Sequence, residues 1–193
     1  MSKPVLQIIV GSTRPGRVGL PVAQWFEGLA RESGEFEVEL VDLAEVDLPL
    51  MDEPNHPRMR KYTKDHTKRR SETIDRADAF VFVMPEYNYG FSAALKNAID
   101  YLCLEWAYKP VGLVSYGGIS AGTRAAQMIK QVVTTLKMTP LFEAVSIPFV
   151  QKSITDGTFS PEAPVGEGAR AMLAELGRME EALRGLRRGG AKA

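Results

Sequence analysis

Short apolar runs alternate with amphipathic segments five times along the chain. Residues 5–10, 79–84 and 110–116 are almost continuously apolar, which is typical of strands buried on both faces of a parallel sheet. Residues 36–41 alternate between apolar and polar side chains and suit a strand nearer the sheet edge, and residues 141–149 supply a fifth strand. Helices are predicted over 20–33, 63–76, 92–104, 123–136 and 167–186. The alternation predicts a doubly wound, three-layer α/β fold with a parallel sheet.

The rest of the chain shows no boundary between domains. Residues 42–57 contain three prolines and are predicted to form a loop, and residues 151–164 are predicted to be irregular. Because neither a repeat nor a linker divides the sequence, we expect one domain over residues 1–193, with a disordered tail from about residue 187.

Charge and cysteine content narrow the function classes. The chain has 24 Lys+Arg and 24 Asp+Glu, so it has no general attraction to nucleic acid or to an anionic membrane, and self-association is plausible. No apolar run approaches the roughly 20 residues of a membrane span, and no signal peptide is recognised. Cys103 is the only cysteine, and we expect a buried, inert thiol between Leu102 and Leu104. We therefore expect a cytoplasmic protein without a zinc site.

Residues 11–19 form a polar, glycine-rich loop between the first strand and the first helix. Backbone N–H groups at a helix start are unpaired and carry partial positive charge, so they favour an anion. Ser12 adds a hydroxyl donor, and Arg14 and Arg17 add positive charge that fits phosphate oxygens. The loop is therefore interpreted as a phosphate site, with an ordinary turn as the alternative.

The residues of this segment exclude two well-known phosphate-binding motifs. Arg17 and Val18 stand where a nucleoside triphosphate loop needs Lys and Ser/Thr, and Thr13 replaces the second glycine of the dinucleotide fingerprint. The loop is suited instead to the terminal phosphate of a mononucleotide.

Two further loops follow the third and fourth strands. Residues 85–90 read Pro-Glu-Tyr-Asn-Tyr-Gly and suit a flat, partly polar ring, whereas residues 115–122 are rich in glycine and allow close backbone approach. If the strand order is 2-1-3-4-5, all three loops meet at one sheet edge, where ligands bind in such folds. Ordinary turns remain the alternative at both positions.

A basic segment at residues 58–70 carries seven Lys/Arg and one Asp. It is interpreted either as a solvated helix face or as a contact for an anionic partner such as the phosphates of a dinucleotide.

The three loops together resemble the NADPH-dependent FMN reductase family, a group of flavodoxin-like proteins that includes quinone, azo-dye and chromate reductases. The resemblance rests on Gly-Ser-Thr-Arg-Pro-Gly-Arg (11–17), Pro-Glu-Tyr-Asn-Tyr-Gly-Phe-Ser-Ala-Ala-Leu-Lys-Asn-Ala-Ile-Asp (85–100) and Ser-Tyr-Gly-Gly-Ile-Ser-Ala-Gly-Thr-Arg-Ala (115–125), and it covers about residues 4 to 150. It implies a flavodoxin-like sheet of five parallel strands in the order 2-1-3-4-5.

The resemblance also implies bound FMN, with NADPH as reductant. The residues implied to bind the cofactor are Ser12, Arg14, Arg17, Gly19, Pro85, Glu86, Tyr87, Asn88, Ser115, Tyr116, Gly117 and Gly118. In this assignment Ser12, Arg14 and Arg17 hold the phosphate. Tyr116 departs from the Ser-Ser-Gly-Gly pattern common in the family and is expected to shield or tilt the flavin ring.

The activity that the resemblance implies is hydride transfer from NADPH to FMN and on to a small-molecule acceptor, such as free flavin, a quinone, an azo dye or a metal oxyanion. No side chain is assigned as catalytic, because the cofactor carries the redox chemistry. A homodimer or homotetramer is expected, with Trp106 and Tyr108 as candidates for the interface or the pocket wall. The alternatives are a flavodoxin-type electron carrier and a flavin-based redox sensor without turnover.

Overall fold

The structure, a computed structural model, describes residues 2–189. Its main feature is a five-stranded parallel sheet in the order β2-β1-β3-β4-β5, which confirms the predicted topology. The strands are β1 (Val5–Val10), β2 (Glu37–Asp42), β3 (Ala79–Pro85), β4 (Pro110–Tyr116) and β5 (Thr139–Ile147). The alternating strand β2 lies at an edge, while the apolar strands β1, β3 and β4 are interior.

Helices cover both faces of the sheet. They are α1 (Gly19–Ser33), α2 (Leu43–Val46), α3 (Asp65–Asp75), α4 (Ala93–Asp100), α5 (Thr123–Thr135) and α6 (Ala163–Gly189). One core packs α1 and α6 against the sheet, and the other packs α3, α4 and α5 against the opposite face. Successive side chains of β3 point alternately into the two cores, as Val81 and Phe82 do. Within the described residues, no helix combines the length and apolar composition needed to cross a bilayer.

Local signals fix several element ends. Gly34 ends α1 in the left-handed conformation at φ 70°, where a residue with a Cβ is disfavoured. Ser92 begins α4 by accepting a hydrogen bond from the Leu95 N–H. The helix predicted over 92–104 was too long, because α4 ends at Asp100 and a separate 3-10 turn follows at Leu104–Trp106.

The connections contain more structure than the sequence indicated. The proline-rich loop includes α2 and a 3-10 turn at Pro57–Met59. After β5 come a 3-10 turn at Val150–Ser153 and a two-stranded hairpin, β6 (Ile154–Thr155) and β7 (Thr158–Phe159).

The last helix also differs from the prediction at its end. It continues to Gly189, so the expected tail from about residue 187 is helical as far as it is described. Arg187 anchors this end by pairing with Glu180 and, at 3.2 Å, with Asp78. Residues 190–193 lie outside the described residues.

Candidate functional site

A cavity of about 380 Å³ opens at the carboxyl edge of the sheet. Four segments contribute its wall: the loop after β1, and the ends of β3, β4 and β5. Strands β1 and β3 are neighbours in the sheet, and the helices that follow them pack on opposite faces. The loops after these two strands therefore separate, and ligands bind between such loops in this kind of sheet. The lining residues are Arg14, Arg17, Val18, Pro85, Glu86, Tyr87, Tyr116, Gly117, Gly118, Phe149, Val150, Gln151 and Lys152.

The loop after β1 presents unpaired hydrogen-bond donors. Helix α1 starts at Gly19 without a side-chain cap and without an acidic residue in its first turn. Its first N–H groups therefore remain available to an anion. Arg14 is exposed, and within residues 2–189 the one hydrogen bond of its side chain is a 3.4 Å contact with the Pro15 carbonyl oxygen. This charge is free to meet a ligand.

Arg17 has a different environment from Arg14. Its guanidinium pairs with Asp42 at the end of β2, and the same carboxylate accepts the Ala44 N–H at 3.0 Å. The sequence suggested two equivalent arginines, but the structure compensates the charge of one of them.

Two buried hydroxyls lie behind this loop. Ser12 Oγ and Tyr116 Oη are both buried beside each other, and no other group within residues 2–189 forms a hydrogen bond with either of them. Buried polar atoms without partners are rare in native proteins, and each costs about 1–3 kcal/mol. These orphaned donors, with the uncapped helix start and Arg14, fit the phosphate of FMN. The residues present therefore suit the cofactor that the sequence implies.

The loop after β3 makes a tight turn at the cavity mouth. Tyr87 and Gly90 exchange N–H···O hydrogen bonds of 2.8 and 2.9 Å, and Asn88 and Tyr89 between them have φ of 48° and 73°. A left-handed conformation at tyrosine is unusual, and such strain concentrates at ligand sites. The turn leaves both tyrosine rings partly exposed beside the cavity.

Glu86 connects this turn to the following loop. Its carboxylate accepts from Arg124 Nε at 2.6 Å and from Ser120 Oγ at 3.1 Å, and its N–H donates to the Tyr116 carbonyl. The Arg124 guanidinium lowers the pKa of Glu86, while partial desolvation acts in the opposite direction. Arg124 also stacks on Tyr89, with its Cζ 3.8 Å from the ring centroid. Glu86 is therefore ionised and connects the two loops by hydrogen bonds, and it does not act as a proton donor.

The loop after β4 turns sharply through its glycines. Gly122 has φ of 77°, and a Cβ there would lie 2.7 Å from the Tyr116 nitrogen, so glycine is required. Ser115 Oγ donates to the Ala121 carbonyl at 2.9 Å and holds the turn closed. Gly118, in contrast, faces open space on the cavity side.

Most of the implied cofactor residues meet at this edge. Arg14, Arg17, Pro85, Glu86, Tyr87, Tyr116, Gly117 and Gly118 line the 380 Å³ cavity. Asn88 lines a neighbouring cavity of about 490 Å³ that shares Glu86, Gly117 and Gly118. Ser12, Gly19 and Ser115 are buried just behind these walls.

The segment after β5 is the part of the site that sequence reasoning missed. Phe149 has a left-handed φ of 46°, and its N–H donates to the Gly118 carbonyl at 3.1 Å. Lys152 Nζ lies 4.9 Å from the Phe149 ring centroid, and Gln151 completes this wall. The only available signal was the position of the segment directly after the fifth parallel strand.

The basic segment at 58–70 does not contribute to the 380 Å³ cavity. Arg60 pairs with Asp75 and Glu105, Lys68 pairs with Asp65, and Arg70 is buried. The segment is therefore divided between surface ion pairs and the core beneath α3.

Two other residues differ from expectation. Cys103 is only partly buried and lines a separate cavity of about 630 Å³ between α4 and α5. Trp106 is not a surface or pocket residue, because it is fully buried with its ring centroid 5.0 Å from that of Phe80. Within the described residues, no group of His, Cys, Asp or Glu is arranged to hold a metal ion.

Known proteins share this sequence pattern along most of the chain. The chain is 35% identical over 192 residues to an NAD(P)H-dependent FMN reductase of a Nectria species, covering 94% of this chain and 92% of the relative. It is 40% identical over 162 residues to an NAD(P)H-dependent FMN reductase of Schizosaccharomyces pombe, covering 82% and 80%. It is also 30% identical over 130 residues to an FMN-dependent NADPH-azoreductase of Staphylococcus saprophyticus, covering 67% and 69%.

Solved structures share the fold. The flavoenzyme FerB, an NAD(P)H:acceptor oxidoreductase from Paracoccus denitrificans, superimposes with a TM-score of 0.73 at 18% identity, covering 93% of this chain and 98% of FerB. Residues 5–152 match the family model of NADPH-dependent FMN reductases, a span that contains all the walls of the 380 Å³ cavity. The chain therefore belongs to the NADPH-dependent FMN reductase family of oxidoreductases.

Proposed function

We propose that this protein binds FMN in the 380 Å³ cavity, takes hydride from NADPH and passes reducing equivalents to a small-molecule acceptor. The observation that carries the proposal is the set of unpaired donors at the start of α1, beside a cavity with partly exposed aromatic rings. When bound, FMN supplies the redox chemistry by accepting a hydride and releasing electrons to the acceptor.

The chain's own residues bind and orient the cofactor. Arg14, Ser12 and the first N–H groups of α1 would hold the phosphate. The strained turn at Asn88 and Tyr89 and the backbone of Gly117 and Gly118 would border the ring. Their conformations are fixed in advance by the Glu86–Arg124 pair, so little ordering remains for the binding step.

The cavity next to the proposed flavin site affects which acceptor molecules can approach the ring. The two cavities at this edge share Glu86 and the glycine pair, so space beside the proposed ring site is open to a second molecule. Relatives are named for FMN, azo-dye and quinone reduction. We propose the same classes here, to be compared directly in one assay series with NADPH and NADH as alternative donors.

The test is a flavin titration of the purified protein followed by anaerobic addition of NADPH. We expect FMN to bind with a defined stoichiometry and its absorbance near 450 nm to bleach without any partner protein. Bleaching only with an added reductase would indicate an electron carrier, and bound FMN that turns over no acceptor would indicate a redox sensor. A protein that takes up no FMN would contradict the proposal.

We also propose a homo-oligomer. The 630 Å³ cavity between α4 and α5 is mostly apolar, and Met128 and Leu104 nearby are about half exposed. Multi-angle light scattering checks this directly, and a monomer at micromolar concentration would contradict it. The cytoplasmic location stays a prediction from the single cysteine.

A further inference from the structure

The side chain of Tyr116 reaches from the end of β4 to the first residue of α1. Its ring packs in the core between the sheet and helices α1 and α6, and its oxygen arrives beside Ser12 Oγ. Gly19 makes this meeting possible, because a Cβ there would lie 2.5 Å from Tyr116 Oη and would overlap Ser12 Oγ. Two hydroxyls from different strand ends therefore meet at one helix N-terminus.

Ser12 Oγ and Tyr116 Oη lie beside each other, and between them they carry more donor capacity than one mutual contact can use. No other group in the part of the chain that the structure describes forms a hydrogen bond with either hydroxyl, and α1 has no capping side chain. Burial raises the pKa of Tyr116 and outweighs the opposite effect of the neighbouring Ser12 hydroxyl, so the phenol keeps its proton at neutral pH and can act as a donor. The missing component is an acceptor with several oxygens, which a phosphate group supplies.

We propose that Tyr116 is a specificity residue that donates its hydroxyl hydrogen bond, together with Ser12, to the phosphate of FMN. The proposal rests on the proposed function, namely that FMN binds at this loop. It replaces the expectation that Tyr116 shields or tilts the flavin ring, since its polar end lies at the start of α1. Riboflavin has the same ring without the phosphate, so the hydroxyl should favour FMN over riboflavin.

The experiment measures FMN and riboflavin binding to the flavin-free protein by fluorescence quenching, for the wild type and Tyr116→Phe. We expect the Kd of FMN to rise about tenfold or more, the range for a hydrogen bond to a charged group, with the Kd of riboflavin unchanged. The melting temperature of the flavin-free variant should stay the same or rise, because an unsatisfied buried hydroxyl has been removed. Ser12→Ala should show the same selective loss for FMN.

Tyr101→Phe is the matched control. The Tyr101 hydroxyl is satisfied within the protein, at 3.1 Å from both the Pro49 carbonyl and Asp52 Oδ1. Its loss should lower the melting temperature of the flavin-free protein and leave the preference for FMN over riboflavin unchanged.

Three results would overturn the assignment: an unchanged Kd for FMN, an equal loss for FMN and riboflavin, or a lower melting temperature of flavin-free Tyr116→Phe. The last would show that the two hydroxyls stabilise each other without a ligand. A wild type that binds neither flavin would overturn the proposed function itself, whereas a wild type that binds FMN beside an unaffected variant would overturn only the role of Tyr116.

Discussion

Two buried polar clusters on opposite faces of the sheet differ in how their hydrogen bonds are satisfied. On the α3 side, the fully buried Glu105 accepts hydrogen bonds from Ser71 Oγ at 2.7 Å, Tyr62 Oη at 2.8 Å and the Cys103 N–H at 3.2 Å. It also forms an ion pair with Arg60, whose Nε lies 3.2 Å from Oε1. On the α1 side, the Ser12 and Tyr116 hydroxyls lie beside each other, and no further group among the described residues forms a hydrogen bond with either.

The difference separates a structural cluster from a binding cluster. A polar group whose bonds are completed by its own chain stabilises and specifies the fold. A buried group left unsatisfied beside a ligand cavity is a candidate for completion by a bound molecule. By this comparison, the Glu105 cluster connects the segment at residues 58–71 to the 3-10 turn before β4, and the Ser12–Tyr116 cluster is the one that we propose for the FMN site.

The largest expected effect comes from breaking the satisfied cluster. Glu105→Ala removes the acceptor of Ser71, Tyr62 and the Cys103 N–H, while Arg60 keeps its pair with Asp75. At about 1–3 kcal/mol for each buried group left unsatisfied, we expect the free energy of unfolding to fall by about 3–5 kcal/mol. Urea denaturation of the flavin-free protein measures this loss. The ratio of FMN to riboflavin affinity should not change, and a change in that ratio would contradict the division between the two clusters.

The second largest expected effect is a loss of FMN affinity at the proposed phosphate loop. Arg14→Ala removes an exposed, uncompensated charge from the proposed phosphate loop, and we expect FMN binding to weaken by about 1.5–3 kcal/mol. Arg17→Ala is the comparison variant, and its loss should be smaller because Asp42 already neutralises Arg17. Isothermal titration with FMN measures both. Equal losses, or an unchanged affinity in Arg14→Ala, would mean that the loop is assigned wrongly.

Arg70 breaks the pattern, because it is an unsatisfied group away from the cofactor site. Its guanidinium is buried beneath α3 with no hydrogen-bond partner within residues 2–189, and burial lowers the pKa of Arg70 to about 10. Arg70→Met keeps much of the volume, so we expect the free energy of unfolding to rise by about 1–3 kcal/mol. Arg69→Met, at an exposed position on the same helix, is the control and should have little effect. A destabilised Arg70→Met would show that the folded protein stabilises this charge, as through the Trp106 ring, whose centroid lies 5.8 Å from Arg70 Cζ.

The smallest effect concerns a satisfied group at the surface. This group is Glu53. Partial desolvation raises the pKa of its carboxyl group, but hydrogen bonds from the Thr63 and Lys64 N–H groups outweigh that effect and lower the pKa from 4.5 to about 2. Because the folded pKa is depressed, this stabilisation is present above pH 4.5 and is lost as the pH falls toward 2. Urea unfolding at several pH values should show a shallower acid loss for Glu53→Gln than for the wild type. Parallel curves would contradict this assignment.

Much of the fold was predictable from local pattern. Apolar runs placed the interior strands, the alternating run placed β2 at the edge, and Gly34 and Ser92 marked helix ends correctly. These signals work because strand burial and helix capping depend on residues close together in the sequence. The end of α4 and the hairpin after β5 were missed, since long-range packing rather than propensity decides them.

The sequence by itself determined the order of elements, the three loops at the carboxyl edge and the family. Only the tertiary structure decided which donors in those loops are free. Asp42, 25 residues along the chain, neutralises Arg17, and Phe149 and Lys152 from the far side of the sheet close the cavity. The tertiary structure also places the Tyr116 hydroxyl at the start of α1, where the absence of a side chain at Gly19 leaves room for it. The physical reason is that satisfaction of a polar group depends on its neighbours in space, which the fold brings together from distant parts of the chain.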